Sequence, residues 1–347
     1  MTAVAGHSSI EVDELDRRLV QALQLDGRLP FSRIAAALGV SEQTIARRYR
    51  RLSDLGIVRI VGLHNAWRSH DSLFLRISTQ PGFARHIGEA LAMREDVSWV
   101  SVALGDTEMT CALHAADVRD RQSLVAERLP KVSRVVGVTS FVILHKFPRD
   151  PRSDWTTQEQ ALTQAEIDAL KCVPVAPGGH EGTVQLTAED RTLVAQLKDD
   201  GRRPVANLAA AIGRSESYVA KRVEALRTGG HLLIVTAVAM EPLGFTTTAM
   251  IWITVPPTEI SRVGAQLATH AEVTFAGAVS GPANLVVAVT CHDNQDLYRY
   301  ITERVGAITS ITHTEVVADQ LIKRHGAVIQ HHRLRAYSIA QPSRSTR

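Results

Sequence analysis

The chain has 347 residues, of which 45% are hydrophobic and 22% charged, with a formal net charge of +3. That length and apolar content suffice for more than one buried core, while the small net charge means that any nucleic-acid affinity must come from local clusters. Cys111, Cys172 and Cys291 are too scattered for a disulfide framework, no apolar run has membrane-spanning length, and the first dozen residues lack a basic-then-apolar leader, so a non-membrane protein of the reducing cytoplasm is expected.

The first predicted element is a short amphipathic helix in which Leu15, Leu19 and Leu23 recur every four residues behind Asp13 or Asp16, with Gly27 expected to close it. Pro30 then opens a second helix with a narrow apolar face of Ile34, Ala35 and Leu38. Gly39 permits a sharp turn, and Ser41 is placed to cap a third helix running to about Leu55. Helix, glycine turn and capped helix is the helix-turn-helix arrangement, whose last helix enters the DNA major groove. On that helix Ile45, Tyr49 and Leu52 share a core face. Thr44, Arg47, Arg48 and Arg51 form the neighbouring stripe, suited to phosphates or to guanine, and Gln43 and Thr44 are candidates for base edges. The bland alternative is a solvated basic helix face. Ile57 to Val61 follows as a branched apolar run that suits a strand or hairpin wing.

A change of texture comes next. Strands are predicted at 72–77, 97–104, 109–114 and 135–146, with helices at 82–93 and 117–129, in the order β-α-β-β-α-β. Residues 148–183 contain Pro148, Pro151, Pro174, Pro177 and Gly178-Gly179 and read as a linker with one candidate helix at 157–172.

The chain then repeats itself. Asp16-Arg17-x-Leu19-Val20 and Asp26-Gly27-Arg28-x-Pro30 return as Asp190-Arg191-x-Leu193-Val194 and Asp200-Gly201-Arg202-x-Pro204, a constant spacing of 174 (Asp190 less Asp16) that holds through Gly39-x-Ser41-Glu42 and Gly213-x-Ser215-Glu216. In the second copy Ser215 is the cap, Val219, Val223 and Leu226 are core, and Ser217, Tyr218, Lys221, Arg222 and Ala225 occupy the reading positions, so the first reader is expected to hold the DNA backbone more strongly. Leu232 to Val235 is the second apolar run. The mixed module also recurs, with strands at 246–255, 273–279, 285–290 and 308–323 and helices at 258–270 and 293–305; Gly105 and Gly281 correspond at a spacing of 176 (Gly281 less Gly105). Each mixed module reads as a ferredoxin-like four-stranded sheet with helices on one face, which leaves its other face to be covered.

These residues carry a family resemblance. Asp-x-x-Leu-x-x-x-Leu, Asp-Gly-Arg, Leu-Gly-x-Ser and Arg-x-x-x-Leu, followed by the β-α-β-β-α-β order, resemble the Lrp/AsnC family of transcriptional regulators over nearly the whole chain, as two fused members; Ile212 replaces the leucine before Gly213 in the second. The resemblance implies an α+β protein in which two winged helix-turn-helix domains alternate with two ferredoxin-like domains that pair through their sheets and bind an amino acid or related metabolite. It also implies double-stranded DNA as partner and homo-oligomeric assembly. The domain limits expected are 10–64 and 184–239 for the DNA readers, 70–147 and 244–323 for the effector domains, 148–183 for the linker and 324–347 for a disordered tail.

In such regulators the turn between the second and third strands of the effector domain lies close to the ligand. The matching residues are Gly105, Asp106 and Thr107, before Glu108, and Gly281, Pro282, Ala283 and Asn284. Asp106 is a candidate for an ammonium group and the turn amides for a carboxylate, although an ordinary hairpin turn uses the same residue types. No catalytic residue, cofactor or metal site is implied. H-E-x-x-H, G-x-S-x-G and phosphate-loop motifs are lacking. Two alternatives stand beside a regulator: a tetrapyrrole enzyme resembling the sirohaem decarboxylases, whose expected His-Asn-Tyr-x-Arg motif is missing, and an interaction protein with degenerate DNA binding. His64, His114 and His292 read as surface or strand-end residues, Trp99 and Phe275 as packing.

Overall fold

The computed structural model describes residues 12–64, 72–114, 123–148, 161–170, 186–324, 327–330 and 333–335. Helix α1 (Glu14–Leu25) buries Leu19, Val20 and Leu23 and begins in a reciprocal capping box between Asp13 and Asp16. Helix α2 (Phe31–Leu38) follows Pro30 and ends at Gly39, whose φ of 67° is the left-handed conformation that glycine adopts without strain. Helix α3 (Glu42–Asp54) starts at Ser41, whose hydroxyl accepts a hydrogen bond from the Thr44 amide. Strand β1 (Val58–His64) follows.

The first mixed module contains β2 (Leu73–Thr79), α4 (Ala84–Ala92), β3 (Val97–Ala103), β4 (Glu108–Leu113) and β5 (Val135–Lys146). The expected helix at 117–129 lies partly outside the described residues; from Ser123 the chain is helical, with a wide turn at Leu124–Arg128. Of the segment read as a linker, Gln164–Leu170 forms α5, while 149–160 and 171–185 lie outside the described residues. This helix is a packed element: Leu162 and Leu170 join the core of the first helix-turn-helix unit, and Glu166 pairs with Arg18 of α1.

The second half repeats the plan with α6 (Ala188–Asp199), α7 (Val205–Ile212), α8 (Glu216–Thr228) and β6 (Leu232–Val238). Its mixed module contains β7 (Thr247–Thr254), α9 (Ile260–Ala268), β8 (Val273–Val279), β9 (Leu285–Cys291), α10 (Asn294–Arg299) and β10 (His313–Arg324). The last strand therefore begins at 313 rather than 308. The residues expected to be a disordered tail include β11 (Ala327–Gln330) and β12 (Arg333–Arg335), which extend the sheet beyond β10; 336–347 lie outside the described residues. Burial of Ala327 and Leu334 against Ala237 and Ala239 gives these strands a reason to form that composition alone did not signal.

The two apolar runs after the third helices are not separate hairpin wings. β1 and β6 pair with each other, antiparallel, from Val58↔Val238 to His64↔Leu232. Gly27, expected to close α1, and its counterpart Gly201 instead allow the readers to approach this ribbon: a Cβ at either would stand 2.8 Å from Ile60.

Within the first mixed module the strand order is β5-β2-β4-β3, and within the second β10-β7-β9-β8, all antiparallel. Each sheet packs one face on its own helices, through Leu75, Ile77 and Cys111 in one and Ile251, Val287 and Val289 in the other. The opposite faces meet in a shared aromatic core, where Phe74 stands edge-on to Trp99, Trp252 and Phe275 at centroid distances of 6.1, 6.4 and 5.3 Å. Long strands join the sheets at two corners. β5 pairs with β2 and then, from Ile143↔Val279, with β8. β10 pairs with β7 and then, from Asp319↔Ala103, with β3. Thus the sheet faces that would require a second chain are covered within one.

Candidate nucleic-acid interface

Reading from the caps upward, Ser41 and Ser215 serve α3 and α8 in the same way, accepting from the amides of Thr44 at 3.1 Å and Tyr218 at 3.3 Å. The Ser41 and Thr44 hydroxyls are themselves 2.8 Å apart. Both serines therefore set where the recognition helix begins.

The basic stripe divides into two classes. Arg48 Nη1 donates to both oxygens of Asp13, at 2.8 and 2.6 Å, and to Asp16 Oδ1 at 2.9 Å; Arg51 also pairs with Asp16. Asp16 is fully buried, so these arginines supply the hydrogen bonds and counter-charge that a buried carboxyl group requires. The second unit keeps this arrangement: Arg222 Nε and Nη2 donate to Asp190 Oδ1 and Oδ2 at 2.7 and 2.6 Å, and Asp190 is likewise fully buried. Hydrogen bonding from Arg222 holds the Asp190 carboxyl down to about 2. Arg48 and Arg222 thus brace the frame between the first and third helices, a role the sequence reading, which expected them at phosphates, did not include. The sequence did contain a signal, since Asp and Arg recur together at both positions.

The other class faces outward. Gln43, Arg47 and Arg50 are exposed on one face of α3, spaced by four and then three residues, and neither arginine forms an ion pair among the described residues. Arg50 belongs to this face although the helical-stripe reading did not select it. On α8 the corresponding residues are Ser217, Lys221 and Glu224, also exposed. Tyr218 is drawn aside: its hydroxyl donates to Glu189 Oε2 at 3.0 Å, and Glu189 also accepts from Arg214 Nη2 at 2.7 Å.

A feature that sequence reasoning missed holds the two readers together. Arg28 Nη1 donates to the Gly201 carbonyl at 2.7 Å, and Arg202 Nη1 donates to the Gly27 carbonyl at the same distance and to Leu29 O at 3.0 Å. Arg202 also lies 4.1 Å from the Phe31 ring centroid and 5.6 Å from that of Tyr49. Arg227 adds an ion pair to Asp26 at 2.8 Å across the same junction. The repeated Asp-Gly-Arg was the available signal; its arginines clasp one unit to the other.

The candidate effector turns lie beside the corners of the paired sheets. Asp106 adopts φ 51°, and its Oδ1 accepts from the Arg85 amide at 2.6 Å, so that oxygen caps α4. Gly105 and Thr107 complete an exposed turn, with the Thr107 carbonyl accepting from the Thr79 amide. In the second turn, Gly281 and Pro282 are exposed, Ala283 packs against the inter-sheet core, and Asn284 clamps Val255 through both ends of its amide, at 3.1 and 2.7 Å. Gly281 has φ 111°, and a Cβ there would meet Phe141 of the other sheet at 2.9 Å.

At the corner between β10 and β3, Asp319 is nearly enclosed. Thr248 Oγ1 donates to its carbonyl and to Oδ1, both at 2.8 Å, while Oδ2 has no hydrogen-bond partner among the described residues. Burial pushes its carboxyl up to about 6. His114, read as a surface or strand-end residue, follows β4 but is buried, with Ser72 Oγ 2.7 Å from Nδ1 and Ser98 Oγ 2.6 Å from Nε2; burial lowers its imidazole to about 3. The body reaches the readers through Lys198–Glu95 at 3.0 Å and through the Leu334 amide, which donates to the Gly56 carbonyl just after α3 at 2.7 Å. No metal-ligating cluster occurs among the described residues, and no described helix is long and apolar enough to cross a membrane.

The duplicated helix-turn-helix units and the sheet body define a DNA-binding class of protein. Residues 12–53 and 186–227 match the AsnC-type helix-turn-helix domain, and 248–326 match the Lrp/AsnC ligand binding domain. An uncharacterized HTH-type transcriptional regulator of Pyrococcus abyssi is 32% identical over 146 residues, which make up 41% of this chain and 92% of that protein. The HTH-type transcriptional regulator LrpA of Pyrococcus horikoshii is 28% identical over 138 residues, covering 39% of this chain and 98% of that protein. The chain belongs to the Lrp/AsnC family, with two family units in tandem. Its fold is also similar over most of its length to the crystal structure of the siroheme decarboxylase NirDL, with a TM-score of 0.58, 17% identity, and coverage of 90% of this chain and 93% of that one.

Proposed function

We propose that the chain is a sequence-specific transcriptional regulator that binds double-stranded DNA through α3 and α8 and is modulated at its paired sheets by an amino acid or related metabolite. The observation that carries this reading is the exposed Gln43, Arg47 and Arg50 face on a capped recognition helix of an AsnC-type unit. The readers occupy about 12–64 and 186–239, and the effector body comprises the two ferredoxin-like sheets, with the turns at Gly105–Thr107 and Gly281–Asn284 as candidate effector contacts beside their junctions. Its place of action is the cytoplasm. The test is fluorescence anisotropy of the full chain on DNA upstream of its own gene at two salt concentrations, with and without an amino-acid mixture. Selective, salt-sensitive binding that the mixture alters is the expected outcome; selective binding indifferent to the mixture removes the effector part, and absence of selective binding removes the regulator.

Likeness to the siroheme decarboxylase fold supports a second reading, a tetrapyrrole enzyme. The regulator is favoured because the relatives from Pyrococcus abyssi and Pyrococcus horikoshii are named as transcriptional regulators and the likeness to the decarboxylase, at 17% identity, concerns shape. Titration with an iron uroporphyrin III, the kind of ligand seen with that decarboxylase, separates them: a saturable Soret shift would favour the enzyme.

A further inference from the structure

Two readers held about a fixed pseudo-twofold define the kind of DNA that fits them. In the β1–β6 ribbon Val61 pairs with Val235, its own counterpart at the 174-residue spacing, so the local axis passes through that pair. Arg28 and Arg202 donate to each other's glycine carbonyls across the same axis. The sheet body follows suit: Ile143 meets Val279 where Asp319 meets Ala103, and both members of each correspondence differ by 176. A dimeric helix-turn-helix protein places its twofold on the twofold of its operator. Here one chain supplies both halves.

The two exposed faces are unlike. Where α3 presents Gln43, Arg47 and Arg50, α8 presents Ser217, Lys221 and Glu224, and Arg51 corresponds to Ala225. Beside α8, Glu189 stands where the first unit has Leu15 and Arg214 where it has Val40; together they hold Tyr218, the counterpart of Thr44. A homodimer must offer the same helix to both half-sites, whereas a fused chain is free of that constraint. Arginine pairs with guanine O6 and N7 and also grips phosphate, while Glu224, which accepts from Arg227 Nη1 at 3.4 Å, brings a carboxylate that repels phosphate and could accept from a base only through an amino group such as cytosine N4.

Building on the DNA-binding reading above, we infer that one chain occupies an operator as a single-chain pseudo-dimer, and that this operator consists of two inverted half-sites of unequal sequence. The α3 half carries guanine contacts and most of the salt-dependent affinity. The α8 half contributes less and tolerates more sequence change.

The experiment is selection of sites from a random duplex pool with the full chain, followed by mass photometry of the complex and exchange of each arm for unrelated sequence. One chain per duplex is expected on non-identical inverted arms whose centres lie about 10 base pairs, or a multiple of that, apart. Loss of the α3 arm should weaken binding roughly 100-fold and loss of the α8 arm roughly 10-fold or less. Joint substitution R47A/R50A should reduce the salt slope by about 2 and K221A by about 1, with unchanged far-ultraviolet circular dichroism showing that the helices remain folded. Two chains on a perfect palindrome, or equal losses from the two arms, would overturn the inference and leave a DNA-binding regulator. Failure to select any sequence would overturn the DNA-binding reading itself.

Discussion

The two helix-turn-helix units differ in what they hold constant. Asp16 with Arg48 and Asp190 with Arg222 repeat the same buried pairing, and Ser41 and Ser215 repeat the same cap. Outside that frame, Arg50 becomes Glu224, Arg51 becomes Ala225 and Leu15 becomes Glu189. The comparison teaches that a basic residue on a recognition helix is not by that fact a DNA contact: a buried acid inside the unit can claim it first, because an unpaired buried carboxylate is far costlier than an arginine withheld from a phosphate.

If the Asp–Arg pairing is the shared frame, Asp16→Ala and Asp190→Ala should be the most damaging changes. Each removes a capping box and charge-assisted hydrogen bonds, for an expected destabilisation of about 2–4 kcal/mol of its own unit, measurable by hydrogen exchange on that unit's helices. A loss from only one of the two substitutions would break the comparison. The linkage has a definite sign: the carboxyl of Asp190 lies below its ordinary 3.8, so its contribution is complete above about pH 4 and is lost as pH falls toward 2.

The corners of the sheet body allow a second comparison. Asp319→Ile, which copies Ile143, should stabilise the body by roughly 1–3 kcal/mol at pH 8 in urea unfolding, because it removes a carboxylate with an unpaired buried oxygen. Here the folded carboxyl lies above its unfolded value, so the parent protein should lose stability as pH rises from about 4 to about 6, and the variant should not. A parent curve that rises through this window would contradict the assigned burial.

Smaller effects sharpen the contrast between the clasps. Arg28→Ala and Arg202→Ala should each weaken the junction of the readers by about 1–2 kcal/mol in thermal unfolding, with Arg202 the more costly because it also stacks on Phe31 and Tyr49. Equal losses would assign no weight to the stacking. The smallest change expected is from Glu189→Leu, which restores the first unit's residue, frees Tyr218 and Arg214, and should raise DNA affinity roughly two- to fivefold in an anisotropy titration at low salt. A decrease would show that Glu189 orders the second reader for binding.

Much of this was legible because the determining interactions are local. Leu19 and Leu23 fix the buried face of α1, Gly39 and Gly213 fix the turns, and Ser41 and Ser215 fix helix starts, each within a few residues of the structure it specifies. The same spacing that marked the apolar faces could not say which arginines were already engaged, since Arg48 meets Asp13 and Asp16 from more than thirty residues away. Composition misread 327–335 for a related reason: Ala327 and Leu334 find their apolar partners at Ala237 and Ala239, beyond any local window. Asp106 and Asn284 stand out in the sequence as turn and ligand residue types alike, whereas their internal partners, the Arg85 amide and the Val255 backbone, are set by the tertiary structure and were not legible there.

By itself the sequence determined the repeated units, the order of helices and strands and the faces each had to bury, because periodicity, caps and glycine turns act over a few residues. The tertiary structure decided that β1 pairs with β6, that the sheets close on each other within one chain, and that Arg28 and Arg202 clasp the readers. Those choices join residues more than a hundred positions apart, where closing the chain favours no particular partner strongly and the match of buried surfaces selects among them.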